Sequence, residues 1–266
     1  MDTEFTVTFA DVDDATLCAA AAAAAFARLD ELELLLTRFS DTSDVAVIRA
    51  LKPGAVAVVA RETMAVLTAS AEVAAATNGA FDPTVKARSF SDLVLDVDHL
   101  RVAVKRAPVE LDFGGIGKGF ALDEMAALLG SEQFGLGNWL LDAGTSTLLA
   151  SGGPWPLGVG GAWKARTRLP TVLRLSSGAL SGSGFEIQGA HIFDPRTGEP
   201  AARWAQSWAR ARTAAVADAL STAALSMEPA ELKAAAATLD AAVLVARRQR
   251  PVMDHFRDPL KWYGKP

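Results

Sequence analysis

Between Trp139 and about Ile187 the chain is dense in β-formers, glycine, serine and proline, and this block constrains the fold more than any other stretch. It reads as several antiparallel strands joined by turns. Helical signals flank it. Residues 4–9 alternate as a strand does, and Asp14 or Thr16 can cap a helix reaching about Phe39. Its Leu29, Leu32, Leu34, Leu35 and Leu36 form a stripe suited to packing on a sheet. A polar turn at Ser40–Asp44, a short strand at Ala55–Val59 and a helix from Glu62 to Thr77 follow, the helix stopped by Asn78-Gly79. Strands are predicted at Leu93–Val97, Val102–Val104 and Val109–Phe113, and a glycine-rich turn at 114–119 feeds a helix ending near Gly130. Beyond the β block come helices from about Val216 to Met227 and from Pro229 to Leu239, then a strand at Ala241–Ala246. Helices and strands mix without a regular βα alternation, which predicts an α+β fold with mixed or antiparallel sheets covered by helices, in one domain over 1–266.

Composition narrows the function. A net charge of -5 gives no support to nucleic-acid binding, which would need a basic face for the phosphates, so no nucleic-acid partner is expected. The one cysteine, Cys18, cannot close an internal disulfide. The apolar run Cys18–Phe26 falls far short of the roughly 20 residues of a spanning helix. It also follows Asp11, Asp13 and Asp14, the wrong sign for a signal peptide. No membrane span is therefore expected. The opening Met1-Asp2-Thr3-Glu4 shows no signal peptide and no lipid-attachment cysteine, and a cytoplasmic location is the expectation.

Four segments concentrate chemistry. Asp112-Phe113-Gly114-Gly115-Ile116-Gly117-Lys118-Gly119 lies between a predicted strand and a predicted helix, where glycines admit a ligand to the backbone and a helix N-terminus favours anions. It is not a P-loop, because Gly119 and Asp112 stand where Ser or Thr and Gly are required. It is not a dinucleotide fingerprint, because Phe120 stands where the last glycine belongs. In Asp218-Ala219-Leu220-Ser221-Thr222, Asp218 and Thr222 share one helix face. They can offer oxygens to a hard cation, or serve as a capping carboxylate and a back-bonded threonine. Asn78 to Val85 offers an aromatic, a carboxylate and a hydroxyl at a helix exit, with simple chain punctuation as the alternative. His191-Ile192-Phe193-Asp194-Pro195-Arg196-Thr197-Gly198 is a loop in which Asp194 can act as a general base with His191 as partner, or which can be a solvated turn. His99 and His255 lack metal-ligand spacing, and Ser181-Gly182-Ser183-Gly184 lacks the flanks of a serine-nucleophile elbow.

In this order the segments resemble the ApbE family, the FAD:protein FMN transferases. Met1-Asp2-Thr3-Glu4-Phe5 is similar to the family's opening Met-Gly-Thr, and Arg38-Phe39-Ser40 with Ser43 to Ile48 to its early Phe-Ser segment. Gly79 to Val85, Asp112 to Gly119, His191 to Gly198 and Asp218 to Thr222 match in sequence order. The resemblance implies an ApbE-like fold with the active site in a cleft between subdomains. It implies Mg²⁺-dependent transfer of FMN from FAD to a threonine hydroxyl of an acceptor protein bearing a Ser-Gly-Ala-Thr-like motif, with release of AMP. Gly115, Asp218, Ser221 and Thr222 would hold the metal. Met1, Ala80, Phe81, Asp82, Asp112, Lys118 and Phe193 would line the flavin-nucleotide site. Asp194 would deprotonate the acceptor hydroxyl with support from His191. The chain departs from the family at Gly144-Thr145-Ser146, where Gly-Gly-Asp or Gly-Gly-Asn is common, at Ala46–Arg49, and between Ser181 and His191. Two alternatives stand beside transfer: an FAD pyrophosphatase giving FMN and AMP, and a flavin binder without turnover. Ser177-Gly178-Ala179-Leu180 lacks the acceptor threonine, so self-modification is not expected.

Overall fold

Asp14 does cap the first helix, accepting from the Leu17 N–H at 2.9 Å. A computed structural model describes residues 3–84, 89–106, 108–144, 146–159, 171–184, 192–201, 203–246 and 260–264. In chain order the first half contains β1 (Thr6–Phe9), α1 (Ala15–Leu36), α2 (Asp44–Arg49), β2 (Val56–Val58), α3 (Arg61–Ala76), β3 (Leu93–Asp96), β4 (Arg101–Val104) and α4 (Gly117–Leu129). The second half contains β5 (Trp139–Asp142), β6 (Thr147–Ser151), β7 (Trp155–Val159), β8 (Thr171–Leu175), β9 (Gly178–Gly184), β10 (Gln206–Ala211), α5 (Ala214–Ala224), α6 (Pro229–Thr238), β11 (Ala242–Ala246) and β12 (Leu260–Gly264).

A seven-stranded sheet runs β1-β5-β6-β9-β10-β11-β12, with antiparallel pairing throughout. A three-stranded sheet, β2-β4-β3, and the β7-β8 ribbon are antiparallel as well. The α+β expectation stands. On one face of the large sheet the ribbon packs Leu157, Val159 and Leu175 against Leu180, Trp208 and Leu244. The other face is covered by helices. There α5 is buried nearly all round, with Ala214, Ala217, Ala219, Leu220, Ala223 and Ala224 in the core, as befits a central rather than a surface helix. No helix among the described residues is long and apolar enough to cross a membrane.

Three local readings differ from the sequence expectation. Val109–Phe113 is not a strand: Val109, Leu111 and Phe113 alternate into the core, but the segment pairs with no strand among the described residues, and Phe113–Gly115 is a 3₁₀ turn. Burial on one side produced the period of two without a sheet partner. The polar turn at 40–44 also opens α2, whose cap is Ser43 accepting from the Ala46 N–H. Asp44 then accepts from the Ala60 N–H and the Thr63 hydroxyl at the head of α3. Finally, residues 206–211, where the sequence predicts no strand, form β10 between β9 and β11, and its buried Ser207 gives its hydroxyl proton to the Ser221 carbonyl at 2.5 Å.

The head of α5 is capped from a distance. Asp123 of α4 accepts from the Ala214 and Ala215 N–H groups at 2.7 and 2.8 Å. Burial pushes its carboxyl up from an ordinary 3.8 to about 6, against those two N–H donors, and the nearby Glu124 and Asp218 carboxylates add to the rise. Between pH about 4 and about 6 the folded state therefore binds the extra proton, so stability falls as pH rises through that window. Urea unfolding at a series of pH values should show this slope in the native protein. Asp123→Asn should lack it, while being less stable throughout because the amide NH2 that replaces one carboxylate oxygen cannot accept from the N–H now bound there.

Candidate active site

The buried helix α5 carries Asp218 on the side facing α4. Asp218 is 2 % exposed, and its Oδ2 accepts from the Gly119 N–H at 3.1 Å. The N-terminus of α4 thus holds a carboxylate of the protein itself, a favourable pairing with the helix dipole. An approach this close requires glycine: a Cβ on Gly119 would lie 2.1 Å from the Ala214 carbonyl oxygen. One turn beyond Asp218, the Thr222 hydroxyl donates back to the Asp218 carbonyl at 3.2 Å. Ser221 does the same at 2.9 Å, fully buried, with the Ser183 hydroxyl 2.8 Å behind it. The bland reading of Asp218 and Thr222, a cap and a back-bonded threonine, is realised in these bonds.

The glycine turn closes over this pair. A Cβ on Gly115 would lie 3.5 Å from Thr222 Oγ1 and 3.5 Å from the Phe81 ring, in ordinary contact with both, so the Gly115 backbone is packed directly over these two side chains. Asp112 donates its N–H to the Pro83 carbonyl at 2.7 Å and takes the Gly114 N–H on its carboxylate. Asp82 accepts from the Thr84 N–H and hydroxyl at 2.7 and 2.5 Å. Ala80 and Phe81 are buried beneath. Cations rim the turn. Lys118 Nζ donates to the Gly114 carbonyl at 3.0 Å, and Arg38 lies 3.3 Å from Asp112, its guanidinium over the Phe39 ring. Two side-chain cations beside a glycine turn suit a phosphate ligand.

The loop of residues 192–201 packs alongside. Phe193 bridges to Pro200, and the Thr197 and Gly198 N–H groups donate to the Asp194 carbonyl, Gly198 at φ +77°. The Asp194 carboxylate accepts from Arg196 Nε at 2.9 Å on one oxygen and from Arg196 Nη2 at 2.9 Å on the other. Arg196 reaches on to Glu231 at 2.6 Å, and its Cγ lies 3.9 Å from a Cβ built on Gly79. The Asp194 carboxylate raises the Arg196 pKa above its ordinary value, against partial burial, so the guanidinium stays charged. The sequence offered Asp194 as a general base with His191 as partner, or as part of a solvated turn; the structure adds a guanidinium clamp on its carboxylate.

Segments 79–84, 112–119, 192–198 and 218–222 thus converge on one spot. The sequence profile of the ApbE family matches residues 1–89 and 86–245. The chain belongs to the ApbE family. Its fold is that of solved ApbE structures. The flavin transferase ApbE from Vibrio cholerae is 18 % identical, with 99 % of this chain and 94 % of that one covered at a TM-score of 0.80. The ApbE protein from Thermotoga maritima is 25 % identical, with 92 % and 91 % covered at 0.74. The flavinyl transferase ApbE from Pseudomonas stutzeri, in its apo form, is 22 % identical, with 92 % and 88 % covered at 0.78. No curated protein matches the chain by sequence.

Within this ApbE chain, Met1 and His191 lie outside the described residues. Thr3 packs on the Gly144 turn, where a Cβ would meet the Thr3 hydroxyl and φ is +69°. His99 is a surface partner of Asp96 at 2.8 Å, as its acidic neighbourhood suggested. Sequence reasoning missed Ser181 and Thr147. Both are fully buried; Ser181 donates to Asp218 Oδ1 at 3.3 Å and sits 2.9 Å from Thr147. The available signal was weak: hydroxyls at 181 and 183 on one face of a strand whose neighbours are small.

The donor set suits a hard cation. Among the described residues no three His, Cys, Asp or Glu side chains gather around one point. The described donors at this spot are one carboxylate, one threonine hydroxyl and the Gly115 backbone, oxygen donors of the kind a hard cation takes.

Proposed function

We propose that the protein transfers the FMN moiety of FAD to a threonine hydroxyl of an acceptor protein. The hydroxyl oxygen bonds to the FMN-side phosphorus, the bond to the AMP-side oxygen breaks, and AMP leaves. The observation that carries this reading is the convergence of Asp218, Thr222, Gly115 and Phe81, three chain segments meeting within van der Waals or hydrogen-bonding range, in a member of the ApbE family. Asp218, Thr222 and the Gly115 carbonyl would hold Mg²⁺, with Ser221 supporting them from behind. When bound, Mg²⁺ neutralises the diphosphate and holds it for in-line displacement. Lys118 and Arg38 add positive charge at the rim. Met1, Ala80, Phe81, Asp82, Asp112 and Phe193 line the flavin-nucleotide site.

The acceptor proton goes to the loop that carries His191 and Asp194. We assign proton removal from the acceptor hydroxyl to Asp194, with support from His191; Arg196 holds both oxygens of the carboxylate and so orients it. Asp194→Asn is expected to bind FAD normally, by flavin fluorescence titration, while transfer slows about 100-fold. Loss of FAD binding would instead make Asp194 a structural residue only.

The acceptor is a separate protein carrying a Ser-Gly-Ala-Thr-like motif. Mass spectrometry of such a domain, after incubation with this protein, FAD and Mg²⁺, should show an adduct of one FMN less water that a chelator abolishes. Stoichiometric AMP without adduct would make water the acceptor and overturn the transferase reading.

A further inference from the structure

Two chains of hydroxyls run through the interior to Asp218, and nothing in the reaction as described uses the first. Thr147 of β6 and Ser181 of β9 are direct cross-strand partners, both with no exposed surface. Their hydroxyl oxygens are 2.9 Å apart, and Ser181 Oγ is 3.3 Å from Asp218 Oδ1. Each hydroxyl has a single proton, so the direction of the chain follows from its ends. The carboxylate only accepts; it is the strongest acceptor in reach of Ser181, so Ser181 donates to Asp218. Thr147 must then donate to Ser181, and its own oxygen is left to accept from Ser146, 3.3 Å away. The second chain meets the first at Ser221, whose Oγ is also 3.3 Å from Ser181 Oγ, but the carboxylate is the stronger acceptor for the Ser181 proton. Ser221 gives its proton to the Asp218 carbonyl at 2.9 Å and takes one from Ser183.

Asp218 is therefore gripped from both sides: Gly119 N–H holds Oδ2 and the Thr147–Ser181 pair holds Oδ1. We propose that Ser181, oriented by Thr147, is a positioning residue that fixes the Asp218 carboxylate for a divalent cation. This rests on the reading of Asp218 as a cation ligand. A carboxylate on a buried α5 has little else to set the rotation of its oxygens. Without the Ser181 hydroxyl one oxygen loses its partner and the plane can turn away from the cation. Groups that orient a metal's ligands in this manner commonly set metal affinity by 10–100-fold.

The test uses the full chain and Mn²⁺, titrated with ADP present as an unreactive diphosphate and followed by the paramagnetic resonance of free Mn²⁺. Ser181→Ala is expected to raise the Mn²⁺ Kd by about 10–100-fold. Its kcat at saturating metal should stay within a few-fold of the native value. Thr147→Val, which keeps the shape and removes the hydroxyl, should move the Kd the same way by less, and Thr147→Ser should restore it. Combining Ser181→Ala with Thr147→Val should add little to Ser181→Ala alone, since Thr147 acts through Ser181. Folded Ser181→Ala with native Mn²⁺ affinity overturns the proposal. If that variant fails to fold, native affinity in Thr147→Val overturns it instead. Asp218→Asn separates the two levels. If it too keeps native affinity, the cation reading of Asp218 fails; if it alone loses affinity, only the role of Ser181 fails.

Discussion

Asp218→Ala should lose at least about 100-fold in AMP release from FAD at saturating Mg²⁺, equivalent to roughly 3 kcal/mol of transition-state stabilisation. The size follows from the donor set. Among the described residues no second and third acidic or imidazole group stands by to replace the carboxylate. The variant also disturbs structure, and the two effects must be separated. Gly119 N–H and Ser181 O–H lose their acceptor, at about 1–3 kcal/mol for each buried donor left unpaired. Removing a buried charge works in the opposite direction. A net change in stability of a few kcal/mol leaves the protein folded, which circular dichroism would verify. Asp218→Asn, with its volume kept, should be equally inactive and closer to native in Tm. Native turnover in a folded Asp218→Ala protein would remove the cation from this site.

Gly119→Ala should be the most damaging single methyl group in the described chain. Its Cβ would lie 2.1 Å from the Ala214 carbonyl oxygen, 2.4 Å from the carbonyl carbon and 2.8 Å from the Ala215 nitrogen. All three are backbone atoms, so no side chain can swing aside; α4 and α5 must separate. Overpacking of this kind costs about 3 kcal/mol or more. In a protein of this size that is roughly a 6–12 °C fall in Tm. Separation also pulls the Gly119 N–H from Asp218, so metal-dependent activity should fall with stability. Gly137→Ala is the control: nothing lies within 4 Å of its Cβ, and its Tm should stay within about 2 °C of native. Equal Tm values in the two variants, read by differential scanning calorimetry, would refute the close packing of α4 on α5.

What could be read from sequence was what depends on near neighbours. The Asp14 cap and the Asn78-Gly79 stop are decided within a few residues, and the helices they bound lie close to where they were expected. Asp218 and Thr222 were legible because four residues make one helical turn. Ser181 and Thr147 were not, because their meaning arises only when β6 and β9 pair and α5 lies across them. Arg196 was in view as part of a motif, yet its grip on Asp194 and Glu231 is a tertiary fact. Val109–Phe113 shows the converse error: burial alternates there as in a strand, but the partner strand is missing among the described residues.

The hydrogen bond between Gly119 and Asp218 joins positions 99 residues apart. A chain still emerging from the ribosome possesses the complete glycine turn long before α5 exists to meet it. Until then the α4 N-terminus has water where the Asp218 carboxylate will sit. Closing so long a loop is entropically costly and slow relative to local helix formation. The meeting of the glycine turn with Asp218 and Thr222 thus arises late in folding, as a property of the whole chain. On the proposed reading, a nascent or truncated product lacking α5 would be unable to commit FAD to cleavage, however complete its glycine turn.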